Sequence, residues 1–327
     1  MSLRCISKAH YQYDSNYFHI NSTAYLAHWL QKIIFAYMQF TITGYSTALF
    51  STWYLIDELG ILFDAGDGFV SGLHQKLGKI KHAFISHADR DHLSALHRLN
   101  PLNDKVQIYY PKDASSFPAL EEFSKKFDPD KVRKDWLPVI DGESIYLRND
   151  LTVKAIRNEH IVAEEGIHKS LSYKVLNCKK KLKLEYQNLS QEEIKGVIDS
   201  KGKDALLQQI TTPLITYSGD TPVDDYARFD NSNILIHEAT FLDSQADRLQ
   251  VNARNKHSSL EEVLEMVANI KVDKLILGHF SLRYSQELID SEIIRLSKHY
   301  GIKIPVFRIQ TGRIQKDILG KTPIYEG

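Results

Sequence analysis

The segment Ser86-His87-Ala88-Asp89-Arg90-Asp91-His92 comes directly after an apolar run, Lys79–Ser86, that is predicted to be a strand. Two imidazoles and two carboxylates stand at positions 87, 89, 91 and 92 of this segment. A tight loop at the end of a strand can point such side chains at one place, because they converge where the strand ends. Imidazole combined with carboxylate suits zinc or manganese, whereas calcium sites use oxygen ligands. The segment therefore predicts a metal site.

Other histidines and acidic residues follow other predicted strands or begin a helix. One such histidine is more often a satisfied surface or core residue than a metal ligand. Its repetition at five separate segments of the chain is hard to attribute to chance. The residues concerned are His160, Asp220, His237, Glu238, His257 and His279.

Predicted strands and helices alternate beyond Met38, which indicates an α/β protein. The first strand of the domain is predicted over Met38–Gly44. Residues 1–37 are then an N-terminal extension, in which Tyr25–Tyr37 has apolar residues at helical spacing and is expected to pack on the outside of the domain. Residues 38–327 are expected to form a single domain.

Several further elements are predicted from local patterns. Tyr54–Asp57 and Gly60–Phe63 have the pattern of a hairpin, and Gln107–Pro111 that of a strand. Ser258-Ser259-Leu260-Glu261 is predicted to be a capping box that starts a helix. Asp64 and Asp67 are expected to shape the turn beside the metal site without binding a metal.

The composition excludes some classes of protein. The chain has 327 residues, of which 43% are hydrophobic and 25% charged, so it is not disordered. Lys and Arg (41) balance Asp and Glu (41), which argues against a surface built entirely for nucleic acid but leaves room for a local basic patch.

The chain shows no sign of export or of a membrane span. Cys5 and Cys178 cannot form a disulfide framework or a four-cysteine zinc site, so a reducing, cytoplasmic location is expected. The uncharged stretch Ile33–Ile56 is interrupted by Thr, Ser and Gln residues and favours strand, turn, strand over a membrane helix.

With these motifs in order, the sequence resembles the ribonuclease Z branch of the metallo-β-lactamase superfamily, over about Met38 to Ile309. The resemblance implies a four-layer αββα sandwich, and an enzyme that cuts tRNA precursors on the 3′ side. The segments that carry it are His87–His92, His160, Ser218-Gly219-Asp220-Thr221, His237-Glu238-Ala239-Thr240, His257 and His279-Phe280-Ser281-Leu282-Arg283-Tyr284.

The resemblance also implies the cofactors and the roles of site residues. Two divalent metal ions, usually zinc, are implied. The implied ligands are His87, Asp89 and His160 for one ion, Asp91, His92 and His279 for the other, and Asp220 as a bridge between them. His257 is implied as the general acid, oriented by Glu238, and Asp91 also takes part in proton transfer.

The sequence departs from the family pattern in two places. Asp89 stands where the family has a second histidine, which makes manganese or iron more plausible at that site. The family's long arm for tRNA is replaced by Ser170–Thr212, which has no proline and contains the basic run Cys178–Leu184. This stretch is either a remodelled basic arm for RNA or a strand with a solvated lysine face followed by a surface helix.

Three functions are therefore compatible with the sequence. The first is a ribonuclease Z-like phosphodiesterase acting on a tRNA precursor. The second is a small-molecule hydrolase on the same fold, of the cyclic-nucleotide phosphodiesterase, arylsulfatase or lactonase type. The third is a non-catalytic binding subunit, which the loss of several ligands would mark. A homodimer is expected because the family often forms one.

Overall fold

The structure is a computed structural model, and it describes residues 40–131, 136–243 and 256–327. The predicted extension 1–37 and its helix Tyr25–Tyr37 lie outside the described residues. Thr41–Gly327 forms one compact unit. It contains two β-sheets, and the site described below lies at the ends of their strands.

The first sheet has six strands within the described residues. The first three strands pair antiparallel and the last three continue the sheet in parallel. In order across the sheet they are β1 (Ile42–Thr47), β2 (Ser51–Ile56), β3 (Ile61–Phe63), β4 (His82–Phe84), β5 (Gln107–Pro111) and β6 (Leu137–Val139).

The second sheet has seven strands among the described residues, in the order β13-β12-β11-β10-β9-β8-β7. The strands from β10 to β13 run parallel, and those from β7 to β10 pair antiparallel. They are β7 (Ser144–Arg148), β8 (Leu151–Arg157), β9 (Leu171–Leu182), β10 (Leu207–Tyr217), β11 (Ser232–Glu238), β12 (Val272–Gly278) and β13 (Val306–Arg308).

The α-helices of the described residues connect these strands, together with short 3₁₀ turns. They are α1 (Phe69–Leu73), α2 (Arg90–Leu93), α3 (Leu99–Leu102), α4 (Ser116–Phe127), α5 (Gln191–Lys201), α6 (Leu260–Asn269) and α7 (Gln286–His299). Within the parts of the chain that the structure describes, no helix is both long and apolar enough to cross a membrane.

The two sheets pack face to face, and helices cover their outer faces. Phe63 of the first sheet stacks on Tyr217 of the second, with ring centroids 4.9 Å apart, and Phe84 contacts Tyr173 at 5.1 Å. On the outer side of the first sheet, Trp53 shares a buried cluster with residues of α1 and α4. A second cluster joins β11 and β12 to α6 and α7. The layers are helix, sheet, sheet and helix, which confirms the predicted αββα sandwich.

Most predicted elements are present, with shifted boundaries. The predicted hairpin is formed by β2 and β3, and β5 has the predicted bounds. The first strand was predicted over Met38–Gly44, of which Met38 and Gln39 lie outside the described residues. Within the described residues β1 begins later, at Ile42, and extends to Thr47, where it pairs with β2 from Ile42↔Ile56 to Thr47↔Ser51. The uncharged stretch is thus strand, turn, strand from Ile42 onward, as predicted.

The predicted capping box is displaced by one residue. Ser259, rather than Ser258, caps α6, and its hydroxyl oxygen accepts a hydrogen bond from the Glu262 backbone amide. The Ser258 hydroxyl is buried and donates to the Thr221 carbonyl at 2.5 Å. Two adjacent serines cannot be distinguished by a local pattern, because the choice depends on this contact with a distant loop.

The stretch Ser170–Thr212 has the secondary structure of the second interpretation. β9 and β10 pair as a long hairpin, and α5 lies between them without a buried residue. The inner half of β9 is buried, whereas Lys179, Lys180 and Lys181 near its end are exposed. A role of these lysines in RNA binding stays a prediction.

Candidate metal centre

The candidate ligands lie where strands of the two sheets end. His87 follows β4 and precedes α2, which carries Asp91 and His92. Asp220 follows β10, and His279 follows β12. Carboxyl ends of strands that run in one direction meet at one edge of a sheet, which is where open α/β sheets usually bind their ligands. Residues that are up to two hundred positions apart in the chain are thereby brought together.

One group of four side chains surrounds a single point. Asp91, His92, Asp220 and His279 each offer one ligand atom, and these atoms lie within 4.8 Å of one another. Asp220 Oδ2 is 3.1 Å from His92 Nε2 and 3.3 Å from His279 Nε2. His279 Nε2 is also 3.2 Å from Asp91 Oδ2. The four side chains are buried, and their ligand atoms are close enough to one another to surround a single ion.

A second group shares Asp220 with the first. His87, His160 and Asp220 bring their ligand atoms within 4.8 Å of one another, and His87 Nε2 is 3.8 Å from Asp220 Oδ2. Asp89 lies beside this group, with its Oδ2 3.4 Å from His160 Nε2 and 3.7 Å from His87 Nε2. Its side chain is 38% exposed and it is not one of the three mutually close residues.

The spacing of these atoms fits metal ions. Zinc bonds to imidazole nitrogen and carboxylate oxygen are about 2.1 Å long, so tetrahedral ligand atoms lie about 3.4 Å apart. The distances from Asp220 to His92, His279 and His87 are 3.1 to 3.8 Å. The carboxylate of Asp220 can therefore belong to both coordination shells.

Each histidine of the two groups has its other ring nitrogen held by a neighbour. His87 Nδ1 is 2.9 Å from the Ser86 hydroxyl, and His160 Nδ1 donates to the Lys256 carbonyl at 2.8 Å. His279 Nδ1 is 2.8 Å from the Thr240 hydroxyl. Such contacts fix the orientation of a metal-binding imidazole and leave Nε2 free for the metal.

His87 provides a direct test of whether a cation fits. Its Nε2 atom is buried and has no hydrogen-bond partner among the described residues. Burial, followed by repulsion from His92 and His160, keeps the pKa of His87 well below its usual value. A neutral imidazole with an unpaired buried nitrogen is costly without a ligand, and it is the form that binds metals.

The carboxylates of the site are held in their charged form. Burial alone would raise the pKa of Asp220, but His279 and His92 lower it well below its usual value. Burial likewise opposes charge on Asp91, and the neighbouring His92 and His279 lower its pKa to about 2. Both groups are thus deprotonated, as ligands must be.

Asp64 orients His92, a role that the sequence analysis did not assign. Its buried carboxylate accepts hydrogen bonds from the Ser86 amide at 2.6 Å, from His92 Nδ1 at 2.7 Å and from the Tyr217 hydroxyl. The only feature of the sequence that could have indicated this role was the position of an acidic residue at the end of a predicted strand. Asp67 shapes the turn as expected, because its Oδ1 accepts from the Gly68 amide at 2.8 Å.

The backbone is strained at this site. Asp64 and His279 both adopt a left-handed conformation, with φ of 55° and 63°. Gly219, just before Asp220, has a φ of 60°, and a Cβ atom there would lie 2.7 Å from Ser86 Cβ. Strained residues of this kind concentrate at functional sites, where packing holds them in place.

His257 and Glu238 form a pair at the edge of the two groups. Glu238 Oε1 accepts from His257 Nδ1 at 3.1 Å, and Glu238 also accepts from the Thr221 amide at 2.8 Å and the Thr240 hydroxyl at 2.6 Å. Burial opposes a charge on His257, but Glu238 raises its pKa to about 9. The family resemblance implied this pairing of residues that are 19 positions apart in the chain.

Two other residues near the site have distinct surroundings. His237 does not reach the ligand groups, because its Nδ1 donates to the Glu238 carbonyl at 2.7 Å and its ring packs on Phe229. The Arg283 guanidinium lies 5.4 Å from the centre of the Phe241 ring, which is 6.2 Å from the ring of His257. Arg283 is exposed and is connected to His257 through the Phe241 ring.

The chain is similar to curated proteins over most of its length. It is 30% identical to ribonuclease Z of Thermococcus kodakarensis over 271 residues, which are 76% of this chain and 83% of the relative. It is 26% identical to the chloroplastic tRNase Z TRZ2 of Arabidopsis thaliana, over 81% of this chain and 74% of that protein. No family model matches the chain.

Solved structures show the same fold. The metallo-β-lactamase fold protein YhfI of Bacillus subtilis has a TM-score of 0.56 and 14% identity, and covers 84% of this chain and 99% of its own. The short form of human tRNase Z has a TM-score of 0.53 and 18% identity, over 85% of this chain and 99% of its own.

Proposed function

The chain belongs to the ribonuclease Z branch of the metallo-β-lactamase superfamily, whose members are metal-dependent hydrolases, and from this premise we propose that it cuts tRNA precursors on the 3′ side. The single observation that carries this proposal is the pair of ligand groups that share Asp220 beside the His257–Glu238 pair. Cation sites beside a proton donor suit phosphodiester hydrolysis, because the cations stabilise charge on the phosphate and the donor protonates the leaving oxygen.

We assign the ligands as follows. His87, Asp89 and His160 would hold one divalent ion, Asp91, His92 and His279 would hold the other, and Asp220 would contribute to both sites. Two cations lower the pKa of water and neutralise the charge that builds on a phosphate oxygen. We propose that the ions are zinc. Manganese or iron is favoured more here than in a site with histidine at this position, because Asp89 is a hard anionic ligand.

The proton donor is assigned to His257. Phosphodiester hydrolysis leaves an alkoxide that needs a proton, and a histidine can supply one from the ring nitrogen that does not contact Glu238. Glu238 is buried and accepts hydrogen bonds from Thr221, Thr240 and His257, so it holds the imidazole of His257 in one orientation. Asp91 is assigned a role in proton transfer in addition to its role as a ligand. Its Oδ2 accepts a hydrogen bond from the Leu49 amide at 3.1 Å.

The substrate class is supported by the names of the relatives and by the distribution of charge. Proteins of similar sequence are named tRNase Z and ribonuclease Z. Arg283 and Lys179, Lys180 and Lys181 are exposed cations that an RNA backbone can contact, although Lys180 also pairs with Asp204 at 3.0 Å. We also propose a homodimer and a cytoplasmic location, although one relative is named as chloroplastic.

The test is an assay of the purified protein stripped of metal and then loaded with zinc, manganese or iron. A tRNA precursor with a 3′ trailer is compared with bis(p-nitrophenyl) phosphate and a lactone. We expect cleavage of the precursor on the 3′ side, mapped by sequencing the product ends, and none with Asp220→Asn. Turnover of the small esters without any cleavage of the precursor would instead support a small-molecule hydrolase.

A further inference from the structure

The turn between β1 and β2 presents two apolar side chains to solvent. Ala48, Leu49 and Phe50 form this turn, and Leu49 is 89% exposed while Phe50 is 57% exposed. The strand residues on either side, Thr47 and Ser51, are buried. More than half of the surface of each side chain therefore stays in water, so neither gains the full stabilisation that burial gives.

This turn is hydrogen-bonded to the candidate metal centre. The Leu49 amide donates to Asp91 Oδ2 at 3.1 Å, and the Ala48 amide donates to the carbonyl of Phe280, the residue after His279, at 3.3 Å. A third bond, from the Phe50 amide to the Thr47 carbonyl at 3.1 Å, closes the turn. The apolar tip is thus held at a fixed place beside Asp91 and His279.

The backbone of the turn does not favour a leucine at this position. Leu49 has a φ of 68°, in the left-handed region that glycine or asparagine adopts at lower energetic cost. Stability of the fold therefore does not explain a large apolar residue that is both strained and exposed. The hydrogen bond between the Leu49 amide and Asp91 instead suggests a role at the candidate metal centre.

We infer that Leu49 and Phe50 form a platform on which a nucleobase next to the scissile phosphate of the RNA stacks. This inference rests on the proposed function. Leu49 lies beside Asp91, so a base that flanks a phosphate held at the ligand groups can reach this turn. The side chains of Leu49 and Phe50 carry no charge with which to bind a phosphate, whereas the aromatic ring of Phe50 can stack on any base.

The test compares variants of Phe50 on the tRNA precursor. We expect Phe50→Ala to raise KM about 5- to 150-fold, because stacking is lost in the ground state and transition state alike, with kcat unchanged. Phe50→Trp should keep KM near that of the unaltered protein, because tryptophan also stacks on bases. Phe127→Ala is the matched control, because Phe127 is 73% exposed and lies in α4, outside the site. Metal content should be the same in all variants.

Precursors with a single abasic nucleotide on either side of the cut identify the contacted base. If Phe50 stacks on that base, Phe50→Ala has no further effect on the matching abasic precursor. Equal effects of Phe50→Ala on every abasic precursor, or a KM unchanged by Phe50→Ala, would overturn the platform while leaving the nuclease function intact. Failure of the unaltered protein to cut any precursor would overturn both.

Discussion

Asp220 is the residue on which both ligand groups depend. Its Oδ2 is within 3.8 Å of the Nε2 atoms of His87, His92 and His279. No other described residue belongs to both groups. The carboxylate also contacts His92 and His279 directly, at 3.1 and 3.3 Å.

Asp220→Asn should remove both metal ions, because the amide keeps the shape but loses the charge and one anionic oxygen. The measurement is metal content by mass spectrometry after dialysis against a weak chelator. Two retained equivalents would show that Asp220 does not bridge the ions.

His257→Ala should lower kcat by about 10²- to 10⁴-fold, the usual range for loss of a general acid. Metal content should stay intact, since Glu238 and His257 form a pair beside the ligands. The comparison is kinetics on the tRNA precursor with metal analysis of the same preparation. Loss of both ions would refute the assignment of His257 as proton donor.

Asp89→His should shift metal preference toward zinc, because a softer imidazole replaces a hard carboxylate. The protein is loaded from an equal mixture of zinc and manganese, and bound metals are counted. Glu165→Gln, which changes another exposed acidic residue, serves as the control. An unchanged preference in Asp89→His would mean that this side chain points away from the ions.

At the scale of elements, two helices share the same capping device but differ in burial. α6 and α5 each begin with a capping box, at Ser259 and Ser190. α6 buries five side chains against the second sheet, whereas α5 buries none. The stability of α6 is therefore coupled to that of the whole domain, and that of α5 is largely local.

Ser259→Ala should lower the free energy of unfolding by about 1 kcal/mol, as measured with denaturant. Ser190→Ala should leave that free energy almost unchanged and instead speed hydrogen exchange within Gln191–Lys201. Equal global effects of the two variants would mean that α5 is coupled to the domain after all.

At the scale of the whole molecule, the metal centre joins the two sheets. His87 comes from the loop after β4 of the first sheet and His92 from the helix α2 that follows this loop, whereas Asp220 and His279 follow strands of the second sheet. An ion bound between them would link the two halves of the sandwich, in addition to the aromatic contact between Phe63 and Tyr217.

Removal of the metals should therefore lower the melting temperature of the domain. A ligand present at about 1,000 times its Kd stabilises the folded state by about 4 kcal/mol per site. Thermal unfolding is compared for stripped and zinc-loaded protein, and Asp220→Asn should abolish the difference. A melting temperature that does not respond to metal in the unaltered protein would contradict binding between the sheets.

The sequence by itself determined the candidate ligands and the fold class. His87, Asp89, Asp91 and His92 are close in the chain, so their spacing and the preceding apolar strand were sufficient to predict a site. Alternating strands and helices, with the family resemblance, were sufficient for the αββα sandwich. These features are visible because they depend on local patterns and on residue types suited to a metal.

Only the tertiary structure decided how distant residues meet. The contact of Asp64 with His92, the choice of Ser259 as the cap of α6 and the position of Leu49 beside Asp91 each join separate segments. Such contacts depend on how the sheets stack and how the turns bend, which no local pattern specifies. Strand boundaries such as that of β1 likewise follow from pairing with a neighbour.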